Sequence, residues 1–158
     1  MTAPSCPIAR AVAVVGDRWS FLIMRNALLG TTRFDGFRSG LGIADNILSN
    51  RLSRLVEAGL LVRVPYRDGG RTRHEYRLTE AGADLLPVLN AVATWGARHT
   101  EDPHPDRPMR ILHGVCGTEI TSGAYCPACG RDVPNGEVRW VRPWLGAEPT
   151  ALAGAMEA

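Results

Sequence analysis

Four residues toward the C-terminus could do chemistry together: His113, Cys116, Cys126 and Cys129. Their spacing is His-x2-Cys-x9-Cys-x2-Cys, and a glycine, Gly117 or Gly130, follows each pair. A two-residue gap lets one tight turn aim two donors at a common point, and two such turns supply the corners of a tetrahedron. Three thiolates and one imidazole suit Zn2+. A closed set of four protein ligands leaves no position for a substrate, so the expectation is a structural ion, not a catalytic one. Such an ion would supply folding energy that so short a unit cannot draw from an apolar core. Two rivals stay open on spacing alone: a redox-active Cys126/Cys129 pair, and a ribbon that folds without metal. The remaining cysteine, Cys6, precedes Pro7 and lies four residues before Arg10. A thiol at a helix N-terminus beside a guanidinium is placed for thiolate chemistry. The plainer reading is a small packing residue. Cys6 has no second cysteine in the first hundred residues. A sensor there would therefore work by alkylation, by sulfenate formation, or by a bond between subunits or to the C-terminal thiols.

A second group of side chains could act on a ligand from a single helix, read over residues 45–58. Asp45 reads as its N-cap and Gly59 as the residue that stops it. Leu48, Leu52, Leu55 and Val56 fall at helical spacing and form one apolar stripe. The other faces offer Asn46, Ser49, Asn50, Arg51, Ser53 and Arg54, with Glu57 the one acid among them. Asparagine and arginine can pair bidentately with adenine and guanine edges in the major groove. Taken alone, the helix is an amphipathic surface helix with a solvated polar face; its neighbours alter that reading.

The charge distribution supports a nucleic-acid partner. All 18 basic residues are arginine, and the net charge is only +2. Residues 33–77 carry nine arginines against five acids, whereas residues 78–158 carry six against ten. Positive charge thus gathers around the helix and the segment after it, the electrostatic footprint of a DNA-contacting surface.

The elements that would position these groups follow from punctuation. Residues 7–15 read as a helix that is apolar nearly all round, which suggests a subunit interface. Asp17 caps a second helix from Arg18 to Leu29. Thr32 to Asp35 reads as a capping box that opens a short third helix through about Ser39. A glycine-containing turn over 40–44 leads into the polar-faced helix, giving a helix-turn-helix layout. Two strands, 60–66 and 74–78, flank an Asp-Gly-Gly turn and form a β-hairpin. Arg67, Arg71 and Arg73 lie around its tip, so the hairpin reads as a basic wing that grips phosphates or enters the minor groove. Pro65 confines the first strand to a sheet edge. Thr79 caps a helix running to about His99, with a kink expected at Pro87.

At this point the chain resembles the HxlR-type transcriptional regulators, relatives of the MarR group, over about residues 6–99. The resemblance rests on Cys6-Pro7, Gly16-Asp17-Arg18-Trp19, Arg33-Phe34, Leu48-Ser49-Asn50-Arg51-Leu52, Glu57-Ala58-Gly59-Leu60 and Tyr76-Arg77-Leu78-Thr79-Glu80-Ala81-Gly82. It implies a homodimer built from the first and last helices of the domain, bound to near-palindromic double-stranded DNA. It implies regulation of neighbouring genes, more often repression than activation. It also implies that Cys6 serves as a sensor of electrophiles or oxidants, as in several such regulators, and some of these carry a similar C-terminal extension.

The expected protein is therefore mainly α-helical with a small β-hairpin wing: a winged helix-turn-helix followed by a zinc-ribbon-like unit. Residues 1–100 form the DNA-binding and dimerisation domain, 101–110 a linker, 111–145 the ribbon and 146–158 a disordered tail. The expected function is sequence-specific repression by a homodimer; the alternative is a thiol-based switch acting through Cys6 or the C-terminal cysteines. A small-molecule or redox effector fits either reading. No nucleophile–base pair, phosphate loop or open metal site is legible, so an enzyme is not expected. No apolar run is long enough to span a membrane and no signal peptide is legible, which points to the cytoplasm.

Overall fold

A computed structural model of the chain describes residues 5–121 and 124–157. Residues 1–4, 122–123 and 158 of the expected domains lie outside that description. The chain divides into two compact units, Met1–Gly82 with Ala155–Ala158, and Ala83–Gly154.

The first unit is a winged helix-turn-helix. Its helices are α1 (Pro7–Val15), α2 (Arg18–Leu28), α3 (Phe34–Leu41) and α4 (Asp45–Glu57). The wing consists of β1 (Leu61–Asp68) and β2 (Arg71–Leu78), and the short helix α5 (Glu80–Ala83) follows. Asp17 caps α2 as expected: its carboxylate accepts hydrogen bonds from the backbone of Trp19 and Ser20, each at 3.1 Å. The core gathers Ile23, Met24, Ala27 and Leu28 of α2, Phe37 of α3, and Leu48, Leu52 and Leu55 of α4, all at most 3% exposed. Burying each of the three α4 leucines stabilises the fold by about 1.5–3 kcal/mol. That stripe locks the rotation of α4 about its own axis. Its end is also closed: Leu60 N–H donates to Leu55 O and Gly59 N–H to Val56 O, both at 3.0 Å. This is the paired bonding of a Schellman stop, with Gly59 at φ +75°.

Three local readings are corrected. Asp45 is the first residue of α4, not its cap; Ala44 occupies the cap without a side-chain bond. Asp45 sits instead where a negative charge favours the helix dipole, 3.6 Å from an Arg38 guanidinium nitrogen. The capping box at 32–35 does not form. Arg33 is the N-cap of α3 without a side-chain bond, and Thr32 Oγ1 donates to Glu75 Oε2 at 3.2 Å. Thr32 serves the wing: its carbonyl accepts Tyr76 N–H at 2.7 Å. The helix from Thr79 is two helices, because Thr79 Oγ1 caps only the turn to Gly82 and the chain re-enters helix at Leu86. Pro87 then lies in the first turn of α6 (Leu86–His99), where its missing N–H is an orphan anyway, so no kink is needed.

The wing is a two-stranded antiparallel sheet with Leu61 opposite Leu78 and Asp68 opposite Arg71. Gly69 and Gly70 form its two-residue turn at φ +54° and +81°. Two successive positive φ values define the turn type that matches strand twist, and glycine adopts them without strain. Pro65 lies opposite His74.

The second unit contains α6 and five short strands: β3 (Arg110–His113), β4 (Tyr125–Cys126), β5 (Arg131–Asp132), β6 (Val138–Val141) and β7 (Thr150–Ala151). β3, β6 and β7 make one sheet in that order, and β4 and β5 make a hairpin. Trp140, 2% exposed, donates its indole N–H to Asn90 Oδ1 at 2.8 Å. This buried bond ties α6 to β6. Both residues lie in the unit Ala83–Gly154, so the division falls after Gly82 and not at the 101–110 linker. The expectation of a disordered tail over 146–158 is also corrected, since Thr150 and Ala151 pair with Trp140 and Arg139. Alanine and glycine content made that segment look structureless, but its backbone completes a sheet edge. No helix among the described residues is long and apolar enough to cross a membrane.

Candidate nucleic-acid interface and metal centre

The first candidate site is the outer face of α4 with the wing. Asn46, Ser49, Asn50, Ser53 and Arg54 are all exposed, on the side of α4 away from Leu48, Leu52 and Leu55. Arg51 is different. Its Nε lies 3.0 Å from Asp17 Oδ1, and its Nη1 donates to Asn50 Oδ1 at 3.2 Å. The guanidinium is turned toward the cap of α2, so Arg51 braces α4 against α2 and touches the offered face only through Asn50. Burial opposes ionisation of Asp17, yet hydrogen bonds from Ser20 and the Arg51 charge hold its carboxyl below the usual carboxylate range.

On the wing, Arg67 Nη1 donates to Thr72 Oγ1 at 3.1 Å, and Arg73 pairs with Asp68 at 3.2 Å. Arg71 is exposed at the turn. Among the described residues neither Arg54 nor Arg71 has an ion-pair or hydrogen-bond partner, so both cations are available to phosphate. Sequence reading passed over Arg33 and Arg63. Both are exposed and line a groove beside the wing, Arg33 stacked 4.5 Å over the Tyr66 ring and Arg63 Nη2 3.1 Å from His74 Nδ1. Period-two alternation along β1, which places Arg63 and Arg67 on one face, was the available signal.

Cys6 is exposed and is the N-cap residue of α1. The Arg10 guanidinium is bonded to Ser5 O at 2.7 Å. Farther along the same helix Ile8 and Val12 are 73% and 59% exposed.

The second candidate site is built by two matching turns. Gly117 N–H donates to His113 O at 2.7 Å, and Gly130 N–H to Cys126 O at 2.9 Å. The two glycines stand at φ +72° and +65°, which lets each turn close immediately behind its second donor. The four donor atoms of His113, Cys116, Cys126 and Cys129 all lie within 4.8 Å of one another. Cys116 Sγ is 3.6 Å from Cys126 Sγ, and His113 Nδ1 is 3.3 Å from Cys116 Sγ and 3.5 Å from Cys129 Sγ. Zinc bond lengths imply tetrahedron edges of about 3.8 Å between sulfurs and about 3.6 Å from sulfur to nitrogen. The donor set therefore fits zinc in type, number and spacing. When bound, the ion would act as a cross-link between the two turns.

The site's protons are crowded. Cys116 is pushed down to about 6, first by its hydrogen bonds with Thr118. Cys129 is pushed up to about 11, first by its contact with Cys116. His113 is raised, first by Glu137. Glu137 and Arg131 are neighbours of this cluster that sequence reading missed. Glu137 Oε2 is 2.7 Å from His113 Nε2 and also 2.7 Å from Arg131 Nη2. The carboxyl of Glu137 is held below its usual range, first by His113 and then by Arg131.

Comparison with known proteins agrees with the first unit's architecture. The model of the HxlR-like helix-turn-helix family matches residues 14–104. An HTH-type transcriptional regulator of Mycobacterium tuberculosis is 41% identical over 127 residues, 80% of this chain and 78% of the relative. A match of that length runs beyond residue 104 from any starting point, so it takes in part of the second unit. The crystal structure of PA1607, described as a candidate transcription factor, superposes with a TM-score of 0.66 at 39% identity, covering 82% of this chain and 89% of that one. The redox regulator HypR in its reduced form superposes with a TM-score of 0.55 at 28% identity, over 59% of this chain and 92% of that one.

Proposed function

The chain belongs to the HxlR-like helix-turn-helix family of transcriptional regulators, and from that premise we propose that it is a repressor that binds near-palindromic operators as a homodimer. The observation that carries this reading is the outer face of α4, where two asparagines, two serines and the unpaired Arg54 stand exposed on a helix whose rotation is locked by three buried leucines. The N-terminal part of that helix enters the major groove, with Asn46, Ser49 and Asn50 reading base edges. Ser53 and Arg54 follow along the groove. Arg67, Arg71 and Arg73 grip phosphates, while Arg51 keeps the reading helix braced. Two copies placed about one helical turn of DNA apart would explain an operator of two half-sites.

Dimerisation is supported by the apolar residues that the protein leaves uncovered. Ile8, Val12 and Val14 of α1 are exposed, and so are Val88, Val92 and Trp95 of α6. A homodimer formed by these helices would make residues 1–100 the DNA-binding and dimerisation region, with 101–110 as a linker and the zinc-ribbon-like unit running from 111 through the strand at Thr150–Ala151. A gel shift with the DNA upstream of the protein's own gene tests the operator claim; absence of retention, or retention that is salt-insensitive or sequence-indifferent, would contradict it. Sedimentation of the wild type beside Val12→Arg tests the dimer, which the charged variant should dissociate.

Zinc in the Cys3His centre is part of the same proposal. Mass spectrometry under native conditions should find one zinc per chain, and a folded, metal-free second unit would end that reading. A second reading is favoured by one observation. Cys6 is exposed at the head of α1, on the helix that carries the uncovered apolar residues. Oxidation or alkylation there would add bulk beside the proposed dimer contact, so an electrophile or oxidant could act as the effector. HypR, a structural neighbour, is itself a redox regulator.

A further inference from the structure

The His113 imidazole is wholly buried, at 0% exposure, and both of its ring nitrogens have partners. Nδ1 faces the sulfurs of Cys116 and Cys129, whereas Nε2 faces Glu137 Oε2 at 2.7 Å. The same oxygen accepts a hydrogen bond from Arg131 Nη2 at 2.7 Å. A carboxylate in that place accepts the proton of Nε2–H. The neutral imidazole then has its lone pair on Nδ1, pointing at the thiols.

The chain connectivity adds to this. His113 ends β3 and belongs to the first turn. Arg131 begins β5, directly behind the second turn. Glu137 comes from the 3-10 turn before β6, and its backbone carbonyl accepts Gly114 N–H at 2.7 Å. Glu137 therefore holds the first turn by main chain and side chain alike, and through Arg131 it reaches the second. The two halves of the donor set are linked by a path that does not pass through the ion.

We propose that Glu137, itself oriented by Arg131, is a positioning residue that fixes His113 as an Nδ1 ligand of the Cys3His centre. This rests on the zinc reading. A carboxylate behind a histidine ligand both sets the tautomer and raises the basicity of the ligating nitrogen, and loss of such a partner typically lowers metal affinity 10- to 100-fold. Arg131 keeps the carboxylate aimed at Nε2, so its removal should act in the same direction and less strongly.

The test is zinc affinity of the full chain, measured by competition with a chromophoric chelator. Glu137→Ala should bind zinc about 10- to 100-fold more weakly than wild type. Glu137→Gln, whose amide oxygen can still accept Nε2–H, should recover part of the loss. The decisive comparison uses His113→Cys, which turns the centre into a four-cysteine site with no imidazole to orient. In that background Glu137→Ala should leave zinc affinity unchanged. A Glu137→Ala protein that binds as tightly as wild type overturns the inference, and so does an equal loss in both backgrounds, which would mark Glu137 as a plain strut of the turn. Nitrogen-15 NMR of the zinc-loaded wild type gives a readout that needs no variant to fold: the metal should be on Nδ1 with the proton on Nε2, and the reverse overturns the inference. A wild-type chain that takes up no zinc overturns the zinc reading itself, and this inference with it.

Discussion

Replacing Arg71 with alanine should change how salt affects DNA binding before it changes anything else. Arg71 lies opposite Asp68, next to the Gly69–Gly70 turn, and its guanidinium has no partner among the described residues. The substitution therefore removes a cation from the wing tip while leaving the ladder intact. Each phosphate that a protein neutralises contributes about 0.9 to the slope of log K against log salt. A dimer carries two copies of Arg71, so the variant's slope should be shallower by about 1.8. Raising salt fourfold, from about 50 to about 200 mM, weakens binding by about 3.5-fold per contact and about 12-fold for two. The ratio of wild-type to variant affinity should accordingly shrink by about 12-fold over that range. Fluorescence anisotropy on the operator and on a scrambled duplex of equal length would show it, and the change should be alike on both. An unchanged slope would refute the placement of the wing on phosphate, and a loss confined to the operator would mean that Arg71 reads bases.

Three further outcomes follow from the same coordinates. Asn50→Ala should leave the salt slope unchanged and relax preference at one operator position, by about 1–3 kcal/mol if the amide makes a bidentate pair, as seen in a panel of single-base operator variants. Asp17→Asn should remove an acid-sensitive part of stability. The folded-state pKa of Asp17 lies below 3.8, so its contribution is fully present above that pH and is lost as pH falls through the folded value. Urea unfolding between pH about 5 and about 3 should therefore fall less steeply in the variant than in wild type. Asn90→Ala should leave the Trp140 indole N–H buried without a partner and cost the second unit about 1–3 kcal/mol, followed by tryptophan fluorescence during denaturation.

Much of this molecule is legible in its sequence because the signals are local. The apolar period of Leu48, Leu52 and Leu55, the Asp17 cap, the Gly59 stop and the Gly69–Gly70 turn each act within a few residues, and each stands where spacing puts it. The His113, Cys116, Cys126 and Cys129 cluster is legible for the same reason, since each pair closes one tight turn. What was missed depends on contacts across long separations. Thr32 could cap α3 by its spacing, but Glu75, forty-three residues away, takes its hydroxyl. The Arg51 ion pair with Asp17, thirty-four residues earlier in the chain, is likewise not marked by local spacing. Glu137 lies twenty-four residues beyond His113, with nothing between them to mark it as that histidine's partner. The strand at Thr150 was hidden by the weak side-chain pattern of a two-residue edge, whose pairing is backbone to backbone. The helix boundary at Leu86 shows the same limit, because a proline in a first turn and a proline at a kink look alike in sequence.

The most direct test of the central claim is to let the purified full-length protein select fragments from a random pool of DNA duplexes, and to sequence what it retains. A dimer that reads with the outer face of α4 should enrich two inverted half-sites spaced about 10–10.5 base pairs centre to centre, or a multiple of that. Asn50→Ala should change one position in each half-site. Retention with no enriched sequence, or a single enriched half-site with no inverted partner, would contradict the account.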